Sequence, residues 1–349
     1  MRVISDELLA AMKGNARTPY VKLEFTSADG NTTVDYSTRR LGIEFHYEAY
    51  NEYGTILLRN NDLGVADIKG YWIEPILGYD ASGEGGSATE GGTYPTMWVK
   101  NIFDISMPGV KMRALELEGM WKNLKERDCN VGDEGPFHQA TYTETSTIHS
   151  IIGVVLADAG FGLAALTSGN DDGFINSFTP TFKINEQPYE TYQQVIYRLI
   201  IRTKCYLQTE PGLGLIDPYF RTVYPQSSDS VNETYYSYQA PWFEEWAYKT
   251  QLVIPNHVHV YCDKDEDGNF GDPPLTGHAF DETEKDKYGY HCYRFEQAGD
   301  IRTGTDANFV AEAILDRAKM EAHGGRLVIF HDPRVELYDK VAVHDTRGT

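Results

Sequence analysis

Between Tyr20 and Met120 the chain falls six times into short stretches of alternating apolar and polar residues, with turn signals between them. Successive residues of a strand face opposite ways, so this period of two admits sheet and leaves no room for a helix of any length. The stretches are Tyr20 to Phe25, Leu41 to Tyr50, Gly54 to Arg59, Tyr71 to Leu77, Trp98 to Ile105 and Lys111 to Met120. Ala28-Asp29-Gly30-Asn31 supplies a hairpin turn after the first. Six such strands predict an antiparallel barrel or sandwich, and the 24 Tyr and 15 Phe agree with sheet. Ahead of them, Ile4, Leu8, Leu9 and Met12 form one stripe of a short helix that Gly14 stops. The Gly-rich run from Tyr79 to Pro95 is expected to be a flexible tip between two strands. It carries Glu84 and Glu90 and leads into no helix, so it lacks what a phosphate cradle needs.

The period changes near residue 145. Ile148, Ile151, Ile152, Val155 and Ala159 share one helical face, with Thr145 or Ser146 as cap and Gly160 as end. A second helix is expected from Pro188 to Lys204, burying Tyr192, Val195, Ile196, Leu199 and Thr203. Cys205 to Thr209 and Leu215 to Phe220 then bracket a turn and predict a hairpin. After a Ser- and Tyr-rich linker, Ser227 to Gln239, strand patterns recur at Leu252 to Cys262, His291 to Glu296, Arg326 to Phe330 and Val335 to His344. One helix from Asp306 to His323 lies among them, with Ala311, Ile314, Leu315, Ala318 and Ala322 on one face, Arg317 and Glu321 paired, and Gly324-Gly325 as its stop. The expected class is α+β and β-rich. A β domain at 1–140 and a second at 226–349 flank a helix-helix-hairpin module at 141–225.

Acidic residues outnumber basic ones 52 to 31, giving a net charge of −21. Such a field repels nucleic acid and argues against sequence-specific DNA or RNA binding. Its ordinary meaning is solubility; its sharper one is an acidic wall along which DNA slides without sticking. No run approaches the ~18 apolar residues of a membrane span. Met1 to Gly14 carries Asp6 and Glu7, unlike a signal peptide, so a soluble chain made in a cytoplasm is expected. Cys129, Cys205, Cys262 and Cys292 form no C-x-x-C pair and read as buried free thiols.

The best candidate ligand site is Asp263-Lys264-Asp265-Glu266-Asp267-Gly268. Its spacing matches the first half of a calcium loop, in which Asp263, Asp265 and Asp267 would converge. The twelfth position is Pro274 where such a loop needs a bidentate Glu, and an acidic hairpin tip in solvent accounts for the same residues. His257 and His259 leave one face of a strand, with Cys262 near. Such a pair holds zinc only when two more ligands converge, and nothing in the sequence fixes His278 or His291 beside it. Two histidines on a polar or interface-facing sheet surface are the ordinary alternative. No G-x-S-x-G, P-loop, H-E-x-x-H or C-x-x-C occurs, and among 52 carboxylates chance neighbours such as Asp171-Asp172 mean little. No catalytic centre is expected.

The run Ile56-Leu57-Leu58-Arg59-Asn60-Asn61-Asp62 with Lys69-Gly70-Tyr71-Trp72-Ile73 resembles the opening β domain of phage tail hub proteins. Pro108-Gly109 and the stretch from Leu115 to Leu124 continue the pattern. Thr147 to Asp217 is similar to the family's middle domain, and Asn256 to Val260 to the strand opening its second β domain. Tyr288-Gly289, the helix from Asp306 and the run from Glu336 to Gly348 follow in the family's order. The resemblance implies two tail-tube-like β domains per chain and a homotrimeric ring. Its six near-equivalent positions would match a hexameric tail tube to a threefold spike or tail tip. The implied partners are sister chains, the tail tube protein, spike or tail-tip proteins and DNA passing without sequence recognition. The implied place is a virion tail assembled in the host bacterial cytoplasm, with no enzymatic activity, cofactor or membrane anchor. Family members usually continue with another strand after the last motif, so a longer chain or a partner is expected to complete that sheet beyond Thr349.

Two other readings compete. One is the amino-terminal hub region of a tail-associated lysin. The other is a carbohydrate-binding β module in which Tyr235, Tyr236, Tyr238, Trp242 and Trp246 stack on sugar rings. Packing of the linker against its neighbour explains those rings equally.

Overall fold

The computed structural model describes residues 1–14, 17–131, 140–184, 190–212, 218–261, 275–299, 301 and 303–347. The first strands form one seven-stranded antiparallel sheet, in the order Thr33–Asp35, Glu24–Thr26, Trp72–Ile73, Met97–Met107, Val110–Gly119, Asn51–Arg59, Arg40–Glu48. Alternation decides its faces: along Asn51–Arg59 the residues Glu52, Gly54, Ile56 and Leu58 are buried, and those between them are not. Their neighbours in the core are Leu23, Phe25, Tyr36, Met97, Leu115 and Leu117. The two edge strands, Thr33–Asp35 and Arg40–Glu48, are separated in sequence by only Tyr36 to Arg39. Five residue steps span at most about 18 Å, so the sheet rolls until its edges nearly meet. No ladder joins those edges, and the barrel expected from the sequence stays open. Tyr36 fills the gap instead: its ring is buried against Phe25, and its hydroxyl accepts the Ala66 N–H at 2.9 Å.

The glycine-rich run is not simply a tip. Glu90–Thr93 is a strand, paired with Ile76–Tyr79, which pairs in turn with Pro19–Lys22. Glycine makes this possible by close approach, since a Cβ on Gly78 would stand 2.0 Å from the Glu90 carbonyl oxygen and one on Gly92 2.7 Å from that of Pro333. Helix α1, Asp6–Lys13, starts where the Ser5 side chain accepts the Leu8 N–H, and it lays Leu8, Ala11 and Met12 against Tyr79 and Ala81.

A second core runs without a break from Met120 to Ala322. It begins with a helix that periodicity missed, α2 at Met120–Glu126, whose Trp121 meets Tyr50 and Phe220 edge-on at 4.9 and 5.0 Å. Helix α3, Ile148–Asp158, buries the expected stripe; its cap is Thr147, one residue after the positions expected. Helix α4, Tyr192–Ile200, is shorter than expected: it opens with a capping box of Thr191 and Gln194 and buries Tyr192, Val195, Ile196 and Leu199, whereas Thr203 follows its end and Pro188 lies outside the described residues. The hairpin after it pairs Tyr206–Glu210 with Tyr219–Val223.

The described strands after Val223 divide among three small sheets. Glu233–Tyr236 runs parallel to Val341–His344, and Phe243–Thr250 pairs with His323–Ile329. The third sheet has the order Thr276–Phe280, His257–Tyr261, Tyr293–Gln297. Its last two strands are parallel, which needs a crossover. A short polar helix, α5 at Glu282–Tyr288, lies on that crossover, capped by Asp281 and ended by Gly289 in the left-handed region. Helix α6, Gly304–Ala322, packs behind this sheet with Ala307, Val310, Ala311 and Ile314 against Val258, Val260 and Ala279.

Candidate functional site

The ribbon of Phe243–Thr250 and His323–Ile329 pairs with no other strand among the described residues. Every residue from Glu244 to Thr250 is exposed. One face carries Trp246 and Tyr248, stacked at 6.2 Å, with Leu327 opposite Trp246. The other carries Glu245 and Arg326, 3.7 Å apart. Trp246 and Tyr248 keep 41% and 60% of their surface in solvent, large fractions for rings that favour burial. A two-stranded ribbon open on both edges is marginal by itself.

The rolled sheet has a similar deficit. Arg40–Glu48 pairs on one side only. At the far end of the long hairpin, register puts Phe103, Ile105, Met107, Val110 and Met112 on the face away from the core, and the first four are exposed. A groove of about 820 Å³ lies between that open edge strand and the sheet of Pro19–Lys22 and Ile76–Tyr79, lined by Ile43, Phe45, Leu77, Tyr79, Trp242 and Phe330.

Two polar side chains join the parts internally. Glu52 is fully buried, its carboxyl bonded to the Thr209 hydroxyl and accepting the Met120 N–H at 3.2 Å. Burial pushes its pKa up to about 7. Arg317 does not pair with Glu321 as helical spacing suggested. Its guanidinium turns inward, lies 4.2 Å over Tyr206, and donates to the carbonyls of Ile200 at 2.9 Å, Thr203 at 3.0 Å and Cys205, and to the Tyr50 hydroxyl at 3.3 Å. The end of α4, where carbonyls lack helical partners, is thus closed by a cation from α6.

The acidic loop with Asp263, Asp265 and Asp267 lies outside the described residues, as does Cys262. Cys129 and Cys205 are buried, and Cys292 is half-buried. Among the described residues no group of three or more His, Cys, Asp or Glu side chains could hold a metal ion. The histidines are nevertheless together. His278 stands directly across from His259, and the His291 Nδ1 is 3.2 Å from the His257 Nδ1. Phe280, Tyr293 and Phe295 complete the same sheet face. The rings proposed to stack on sugar do not share a face. Tyr235 is buried and donates its hydroxyl to Asp332 at 2.8 Å, Trp242 lines the groove, and Trp246 belongs to the ribbon. Tyr248, Phe280 and Phe295 were missed by sequence reading, although each sits at an alternate position of a strand.

No helix among the described residues is long and apolar enough to cross a membrane. No protein-family model matches the chain, and no curated protein matches it. Solved structures do. A tail protein from Neisseria meningitidis MC58 superposes with a TM-score of 0.59 at 11% identity, covering 94% of this chain and 87% of that one. The 43 kDa tail protein of prophage MuSo2 from Shewanella oneidensis gives 0.60 at 10% identity, covering 94% and 89%. The chain therefore has the fold of these tail proteins, as the resemblance in its sequence implied.

Proposed function

We propose that this chain is a structural subunit of a phage or prophage tail hub. Copies of it close into a threefold ring that joins the tail tube to the spike or tail tip and lines the DNA channel. The carrying observation is the bare ribbon of Phe243–Thr250 and His323–Ile329 beside a sheet with an open edge strand. Exposed edges template aggregation unless paired, and a closed head-to-tail ring brings the ribbon of one copy against the open sheet edge of the next. The exposed row Phe103, Ile105 and Met107 gives the ring an apolar surface for the neighbouring tail component. The charge of −21 supports passage of DNA without retention. On this reading the protein works by assembly and carries out no catalysis, and its place is the virion tail.

Light scattering of the full chain, followed by imaging, tests the proposal. The expected particle is a threefold ring, lost in the double substitution Trp246→Asp and Tyr248→Asp, whose chain stays folded. Phage tails that assemble normally with the doubly substituted chain would overturn it. So would a ring whose lumen is lined mainly by Lys and Arg.

A further inference from the structure

We infer that Trp246 and Tyr248, the aromatic face of the ribbon, dock into the groove beside Arg40–Glu48 of a second copy of this chain. The inference rests on the assembly proposed above and names the contact that closes it. Each chain carries both halves. On the ribbon, Gly325 stands across from Tyr248, so the phenol has no side chain opposite it. Nor is there room for one, since a Cβ on Gly325 would fall 2.4 Å from the Ala247 carbonyl oxygen. The groove is the reverse, a hollow with Ile43 and Phe45 on one wall and Val21 and Leu77 on the other. Its volume of about 820 Å³ falls in the range of about 300–1,000 Å³ that receives a compact apolar group.

Within one copy the two halves do not meet. Trp242 and Phe330, at the base of the ribbon, line the groove, whereas Trp246 and Tyr248 are not among its walls. Four strand residues carry Trp246 up to about 13 Å beyond Trp242. The lengths of the two elements agree: Phe243–Thr250 has eight residues and Arg40–Glu48 has nine, with one backbone edge of the latter unpaired.

Charge selects the same partner. Chains of charge −21 repel one another, which favours contacts where one of the two surfaces is free of acid. No Asp or Glu lines the groove. Its guanidinium, Arg17, lies 4.3 Å over Phe330, donates its Nε to the Gly14 carbonyl at 3.0 Å and pairs with no carboxylate among the described residues. The ribbon sets Glu244 and Glu245 beside its indole. Glu245 is held by the exposed Arg326 at 3.7 Å, a pair that exchanges at little cost. A hollow on one surface and a matching protrusion on another give a head-to-tail contact, which is the kind that closes into rings.

Mixing two full-length variants tests this. The first carries Trp246→Asp and Tyr248→Asp, which spoils the ribbon and leaves the groove. The second carries Val21→Asp, which spoils the groove and leaves the ribbon. By light scattering each alone should be monomeric, and the mixture should give a one-to-one dimer and nothing larger. A mixture that stays monomeric while circular dichroism shows both chains folded overturns the inference. So does a Val21→Asp chain that assembles as the parent does, even though the ring itself then stands. If the parent forms no ring, the ring reading fails, and the dimer in the mixture still decides this contact. Arg17→Glu, on the groove wall, takes the place of Val21→Asp should that chain not fold.

Discussion

Replacing Glu52 by Gln tests how the rolled sheet is joined to the rest of the molecule. The Glu52 carboxyl is enclosed by the Thr209 hydroxyl and the Met120 N–H, with Gly119 so close that a Cβ there would meet the Glu52 side chain at 2.4 Å. Burial raises its pKa from 4.5 to about 7. In the folded state the proton is therefore held roughly 300-fold more tightly than in the unfolded chain, worth about 3 kcal/mol. Because the folded value is the higher one, this stabilisation is fully present below pH 4.5 and is lost as pH rises through 7. About 2 kcal/mol of it disappears between roughly pH 5.5 and 8.5. Glutamine keeps the shape, accepts the Met120 N–H through its oxygen and donates to the Thr209 oxygen through its nitrogen, but has no proton to lose. Urea unfolding followed by tryptophan fluorescence, at several pH values across that range, gives both stabilities. Subtracting one curve from the other cancels every other titrating group. The Glu52→Gln variant should gain about 2 kcal/mol on the parent between the two ends of the range. Parallel curves would refute the reasoning and mean that water reaches this carboxyl.

Arg317→Leu removes the cation that closes α4 and leaves the carbonyls of Ile200, Thr203 and Cys205 without it. Urea unfolding should show a loss of about 2–4 kcal/mol, which Arg317→Lys restores only in part. Gly78→Ala forces a Cβ onto the backbone of Glu90 and Gly91 and should cost about 2 kcal/mol or more. Gly83→Ala, with open space around it, should stay within about 0.5 kcal/mol of the parent. Equal effects of these two would mean that the close approach of the strands carries no energy.

What could be read from the sequence followed how strongly each element is amphipathic. Helices α3, α4 and α6 each bury a stripe of Ile, Val, Leu or Ala, so their period is visible before folding. Helix α5 buries no residue at all, so period says nothing of it; only its capping Asp281 and terminal Gly289 mark it. Helix α2 is seven residues long and follows a strand directly, so its Met120 reads as the last residue of that strand. The strand Glu90–Thr93 was hidden because Gly91 and Gly92 look like a linker, and their use as the thin layer between two backbones depends on what lies opposite. The inward turn of Arg317 and the meeting of His257 with His278 and His291 depend on register and packing between distant segments. Local spacing carries no information on either.

The hydroxyl of Tyr79 reaches the carbonyl of His331, 252 residues further along, and Pro333 lies on Gly92. At about 5–20 residues per second, a ribosome needs roughly 10–50 s to supply that cover after the sheet beneath it has emerged. The early sheet is complete in sequence yet uncapped for most of the time the chain is being made. Growing chains halted before Pro333 should therefore lose the segment around Tyr79 to proteases that spare it in the finished protein.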